Sequence, residues 1–134
     1  MSMLTNLDLL RRVPLFSALT SGQMAQLAGS VTKQRVKRGE LIVEQGKKSE
    51  ALFVILSGRA RVVMTDRRSR EVIVDVLLPG DYVGEISLID GKSHSANVQA
   101  EVQTDVLVLG HPEFIRCISE NHAIANSVIK GLVS

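Results

Sequence analysis

The stretch PGDYVGEISLIDGKSHSANVQA, residues 79–100, contains residue choices that secondary structure alone does not explain. Pro79-Gly80-Asp81 is turn chemistry. Gly84-Glu85-Ile86-Ser87-Leu88 then reads as the start of a short helix placed directly after a strand. A helix beginning there leaves the backbone N–H groups of Ile86 and Ser87 without intrahelical partners and pointing outward, which is what an anion or phosphate site requires. Glu85 has two readings: a carboxylate that caps the helix start and gains from its dipole, or an acceptor for the hydroxyl of a sugar.

Upstream of this segment the chain reads as strands. Val31, Lys33, Arg35 and Lys37 interleave with polar neighbours, and the β-branched and apolar runs Leu41-Ile42-Val43, Leu52-Phe53-Val54-Ile55-Leu56, Ala60-Arg61-Val62-Val63-Met64 and Val72 through Leu78 follow. Turn residues separate them at Arg38-Gly39-Glu40, Gln45-Gly46-Lys47-Lys48, Ser57-Gly58 and residues 66–70, a spacing that suits an antiparallel roll or sandwich. Downstream, residues 96–102 and 106–109 read as a last hairpin-like pair around Gln103-Thr104-Asp105. About eight strands are expected in all.

Both ends of the chain are helical in pattern. Between Leu4 and Leu27 the apolar residues fall at mostly helical spacings broken near Pro14 and Ser21-Gly22, which predicts two or three short helices. Thr20, with Gln23 three positions on, is a capping box that starts the helix through Met24 and Leu27. After Gly110, residues Phe114, Ile115, Ile118, Ile124, Val128, Ile129 and Leu132 recur every three or four positions around a break near Asn121. The final apolar stripe has no place in an already filled roll, so it is expected to pair with a second copy as a homodimer or to lead into a further domain. The fold class predicted is thus mainly β with flanking helices: one domain over residues 1–134, a jelly-roll-like antiparallel β-roll ending in the start of a dimerisation helix.

Composition bounds the function. At 134 residues, 45% hydrophobic and 22% charged, the chain has the size and make-up of one globular domain. No apolar run approaches the roughly 20 residues that span a bilayer, and the N-terminus lacks the layout of a signal peptide, so a cytoplasmic protein without membrane contact is expected. The single Cys117, read as a half-buried helix thiol, excludes an intramolecular disulfide and a cysteine-only metal site. A net charge of +2 is too small to signal nucleic-acid binding, and the basic residues at 33–38 and 67–70 read as solvated turns or strand edges. Residues 31–76 contain no histidine, which argues against a metal enzyme of the cupin sort, and no nucleophile–histidine–acid or paired-carboxylate arrangement stands out.

Taken in order, N-terminal helices, a roll with glycine at its corners and a Gly-Glu helix between strands, the chain resembles the cyclic-nucleotide-binding domain of the CRP/FNR regulators. Arg38-Gly39-Glu40-Leu41-Ile42, Gln45-Gly46, residues 52–58, Pro79-Gly80-Asp81, Gly84 to Leu88 and Ser95-Ala96-Asn97-Val98 carry the likeness, which spans nearly the whole chain. The resemblance implies a ligand-sensing module and not an enzyme, with a cyclic nucleotide such as cAMP as ligand and no other cofactor. It implies that Gly84 and Glu85 open the site, that Glu85 holds the ribose hydroxyl, and that Ile86, Ser87, Ser95 and Ala96 cradle the phosphate. DNA would be read only through a domain that these residues do not supply.

The departure from that pattern is His94, which stands where the family has an arginine; none occurs between Arg70 and Arg116. A guanidinium is always charged and offers a planar fork, whereas imidazole near pH 7 is mostly neutral and offers one donor. The exchange costs on the order of 1.5–3 kcal/mol, roughly a 10- to 100-fold weaker complex, unless Lys92 supplies the charge. His94 also offers a pH-responsive site, or is a plain turn histidine. Two other readings stay open: a non-binding dimerisation module with a degenerate cassette, and a haem-based gas sensor using His94, His111, His122 or Cys117 as axial ligand.

Overall fold

The computed structural model describes residues 6–17, 19–48, 51–84 and 93–120. Three short helical pieces come first: α1 (Asn6–Arg11), a 3-10 turn (Pro14–Phe16) and α2 (Ser21–Ala28). The α2 start is the expected capping box, with the Thr20 hydroxyl accepting from Gln23 N at 3.2 Å and Thr20 N donating to Gln23 Oε1 at 3.0 Å. Eight strands follow among the described residues: β1 (Val31–Val36), β2 (Leu41–Val43), β3 (Ala51–Ser57), β4 (Ala60–Thr65), β5 (Glu71–Leu77), β6 (Tyr82–Val83), β7 (Asn97–Ala100) and β8 (Thr104–Gly110). Helix α3 (His111–Glu120) closes the described chain.

The strands form two four-stranded antiparallel sheets, ordered β1-β8-β3-β6 and β2-β7-β4-β5. The mainly-β roll expected from the sequence is therefore present, with one difference in connectivity. Residues 97–100 and 104–110 do not form a hairpin: β7 pairs with β2 and β4, whereas β8 pairs with β1 and β3. The corner between them is set by Thr104, which is fully buried and whose hydroxyl lies 2.9 Å from Val102 O and 3.2 Å from Arg59 N. These contacts tie the 102–104 corner to the parallel corner at Gly58-Arg59, where β3 crosses to β4, so each turn changes sheets instead of reversing within one.

Two apolar layers hold the sheets. On one face of the first sheet Leu52, Val54, Leu107 and Leu109 meet Leu10, Val13, Phe16, Met24 and Leu27 of the N-terminal helices. Between the sheets Ile55 and Val106 meet Val43, Ala60, Val98 and Ala100. Because β3 and β8 are covered on both faces, they read as near-continuous apolar runs and not as alternating strands. The basic residues of β1 fall, as expected, on an exposed strand edge, where Arg35 Nε lies 3.0 Å and Lys33 Nζ 3.5 Å from the Asp105 carboxylate.

The β4–β5 turn also forms where expected. Asp66 Oδ1 accepts from Arg68 N at 2.8 Å and Arg70 N at 2.9 Å, and Ser69 takes a positive φ of 60°. Residues 121–134, which include the Asn121 break and the apolar stripe expected to pair with a second copy, lie outside the described residues; so does the side chain of Cys117.

Candidate ligand-binding site

The approach to the site begins with a type II turn. Pro79 and Gly80 occupy its centre, Asp81 N donates to Leu78 O at 2.9 Å, and Gly80 has a φ of 95° that a side chain would strain. The Asp81 carboxylate accepts from Leu78 N at 2.8 Å, and Ile55 brackets the turn by donating to Asp81 O and accepting from Gly80 N. This fixes β6 against β3, with Phe53 opposite Val83 and Val54 opposite Tyr82. The chain then reaches Gly84, buried and with a φ of 106°.

Across from Gly84, residues 93–96 enter β7. His94 is half-buried and its backbone is fastened to the β2–β3 turn: His94 N donates to Lys47 O at 2.8 Å and Gly46 N donates to His94 O at 2.9 Å. The same turn is held to β7 by Gln45 N, which donates to Asn97 Oδ1 at 2.7 Å. Between these two segments and the second sheet lies a cavity of about 320 Å³. Gly84, His94, Ser95 and Ala96, four of the residues singled out from the sequence, line it together. Glu85, Ile86 and Ser87, together with Lys92, lie outside the described residues.

Other lining residues escaped the sequence reading. Val43, Val62, Leu77 and Val98 form the apolar wall, and Tyr82, Ser93 and Asp75 are the polar residues that join it. Asp75 left a faint trace in the sequence as the one charge inside the run from Val72 to Leu78. Its Oδ1 accepts from Val76 N at 2.7 Å. No lysine or arginine lines this cavity among the described residues. Loss of solvent around the half-buried imidazole pushes the His94 pKa below the ordinary histidine value, so near pH 7 it is neutral and presents one N–H. The cavity is thus an apolar slot with several hydrogen-bonding groups and no fixed positive charge among its described walls. That suits a planar base and a sugar better than it suits a bare phosphate.

Comparison with known proteins agrees with this geometry. Residues 33–121 match the cyclic nucleotide-binding domain family. The chain is 36% identical over 93 residues to a cAMP-dependent protein kinase regulatory subunit of Mycosarcoma maydis, covering 69% of this chain and 18% of that protein. It is 32% identical over 81 residues to the cAMP-activated global transcriptional regulator CRP of Salmonella typhimurium, covering 60% of this chain and 39% of that one. Among solved structures, the regulatory subunit of a cAMP-independent protein kinase A from Trypanosoma brucei superposes with a TM-score of 0.88 at 25% identity, over 97% of this chain and 47% of that chain. A triply substituted variant of that protein bound to cAMP superposes with a TM-score of 0.86, also at 25% identity, over 95% of this chain and 46% of that chain. The chain spans less than half the length of each of these relatives. With the family match running through the roll and the cavity walls, this chain belongs to the cyclic nucleotide-binding domain family, a family of regulatory ligand-binding modules.

Proposed function

We propose that this chain is the ligand-sensing domain of a CRP/FNR-type transcription regulator, cytoplasmic and homodimeric, which binds a cyclic nucleotide or a related small anion weakly. The observation that carries this is the convergence of Gly84, His94, Ser95 and Ala96 on one 320 Å³ cavity at the position the family likeness assigns to the ligand. Glu85, Ile86 and Ser87 complete the proposed cradle. Ligand occupancy would shift how the segment carrying the apolar stripe of Ile124, Val128, Ile129 and Leu132 pairs with its twin, and DNA contact would belong to a separate domain. The kinase regulatory subunits are as similar as CRP, so the same sensing role in a kinase assembly is the nearest variant of this reading.

Weak binding follows from His94. The variant of the Trypanosoma brucei relative that is bound to cAMP carries a threonine-to-arginine change among its three substitutions. Because a guanidinium stays charged and presents a fork to two phosphate oxygens, His94→Arg is expected to tighten cAMP binding roughly 10- to 100-fold. Titration calorimetry of wild type and His94→Arg with cAMP and cGMP tests the reading. Binding by the variant, with weaker binding by wild type, supports it; heat from neither protein with any nucleotide overturns it.

A second reading, a non-binding interaction module, has one observation in its favour. Val72, Ile73, Val74 and Val76 of β5 are 39–55% exposed, an apolar strand edge that a partner could cover. Of the candidate ligands of the haem reading, His94 lines the cavity, while His122 and the side chains of His111 and Cys117 lie outside the described residues.

A further inference from the structure

Of the cavity-lining residues that belong to strands of the second sheet, Val43, Val62, Leu77 and Val98 are apolar and Asp75 is the polar exception. The pairing register gives the direction of its side chain. In the antiparallel β4–β5 pair Asp75 lies opposite Val62, and Leu77 lies opposite Ala60. Residues directly opposite one another leave a sheet on the same face, as do residues two apart along a strand. That face is the inner one: Ala60 is fully buried, Val62 and Leu77 pack against the core between the sheets, and both line the cavity. Asp75 therefore leaves β5 on the cavity side, whereas Val76, opposite Arg61, leaves it on the other. The register shift falls beyond Asp75, at Val74, and does not disturb this stretch. Asp75 Oδ1 accepts from Val76 N at 2.7 Å, which fixes the carboxylate along the strand.

A nucleobase is apolar on its faces and hydrogen-bonding on its edge, so against this wall its faces meet valine and leucine and its edge meets Asp75. Resting on the reading that the cavity holds a cyclic nucleotide, we infer that Asp75 selects the base, and that the ligand is a cyclic guanine nucleotide in preference to a cyclic adenine one. A carboxylate near neutral pH accepts hydrogen bonds and donates none. Guanine offers N1–H and its 2-amino group side by side, two donors that match the two oxygens of one carboxylate. Each carboxylate oxygen has two lone pairs, so the hydrogen bond from Val76 N leaves room for both. Adenine sets N1, an acceptor, beside its 6-amino group; the same approach gains one hydrogen bond and presses a lone pair against the second oxygen. The carboxylate also repels the cyclic phosphate of either ligand, so Asp75 weakens both complexes while widening the gap between them.

The test is calorimetric titration of the 134-residue chain with cGMP, cAMP and cyclic IMP, for wild type, Asp75→Asn and Glu71→Gln. Cyclic IMP keeps the N1–H of guanine and lacks its 2-amino group. Glu71 is exposed on the same strand and lies outside the cavity lining, so its variant removes the same charge from β5 without touching the base. Wild type is expected to bind cGMP at least roughly 10-fold tighter than cAMP, with cyclic IMP between them, on the scale of one charged hydrogen bond. Asparagine keeps an acceptor for Val76 N and offers a donor beside an acceptor, the complement of the adenine edge. Asp75→Asn should therefore erase or reverse the preference, and Glu71→Gln should preserve it. Wild-type binding of cAMP as tight as that of cGMP, or a cGMP preference that survives Asp75→Asn, overturns the inference and leaves the sensing reading standing. Silence from all three compounds with every protein sinks both.

Discussion

The two sheets use similar residues to different ends. In the first, β3 and β8 put Leu52, Val54, Ile55, Val106, Leu107 and Leu109 at 0–1% exposure, because helices cover one face and the second sheet covers the other. In the second, β5 carries a run of valine, isoleucine and leucine just as apolar, yet six of its seven residues are exposed. It sits at the end of its sheet, paired with β4 alone. Its pairing register shifts between Val62 and Val63 so that Val74 has no partner on β4, and Asp75 places its carboxylate on Val76 N. A bulge and a local carboxylate are devices that make an edge a poor template for another strand. The difference teaches that an apolar run reports the capacity to be buried, and that place in the sheet decides whether burial happens.

The sharpest way to break this comparison is to truncate both sheets. Leu107→Ala should cost about 2–5 kcal/mol in urea unfolding, because it removes methyls from a site with no room to relax. Val74→Ala on β5 should stay within about 0.5 kcal/mol. Equal losses would mean that β5 is covered in solution, and a concentration-dependent midpoint for Val74→Ala would locate the cover in a second copy.

The corners where the chain changes sheets come next. At Gly58, with a φ of 93°, an added Cβ would lie 2.6 Å from both Gln103 O and Thr104 Oγ1, so Gly58→Ala should destabilise by roughly 1–3 kcal/mol. Gly39 has a similar φ of 88° with nothing near its Cβ position, so Gly39→Ala should cost less, which separates backbone strain from collision. Thr104→Val keeps the shape but leaves the Arg59 N–H and Val102 carbonyl without their hydroxyl partner, for about 1–3 kcal/mol. A neutral outcome there would show that the corner is held by packing alone.

The smallest effect expected is electrostatic. The Arg35 guanidinium, hydrogen-bonded to Asp105, and Lys33 nearby hold the Asp105 carboxyl below its ordinary pKa. A carboxyl with a lowered folded pKa contributes stability above its unfolded value and loses it as pH falls through the folded one. Asp105→Asn should therefore cost about 0.5–1 kcal/mol at pH 7 and flatten the loss of stability below about pH 4. An unchanged acid limb would remove Asp105 from the account.

Much of the fold was legible because its signals are local. The Thr20–Gln23 capping box, the Pro79-Gly80 turn and the Asp66 turn each depend on residues within four positions of one another, and each formed where expected. The candidate site was legible in part, through Gly84, His94, Ser95 and Ala96, on the strength of the family likeness. Leu77 and Val43 were missed because each sits in an apolar strand pattern that is fully accounted for without a ligand, and Asp75 because a single charge in such a run reads equally as an edge-strand residue. Lys47 and Lys48 were read as turn residues, which they are; nothing in a turn announces what lies across from it.

By itself, then, the sequence determined the strands, their corners, the capped helix and the absence of an arginine before Ser95, because backbone conformation and residue chemistry are short-range properties. Only the tertiary structure decided that β7 and β8 part into different sheets, that β5 is left bare, and that the β2–β3 turn brings its lysines to His94. Strand pairing is a contest among distant segments for the same hydrogen-bonding edges and the same core, and its winner depends on every element at once.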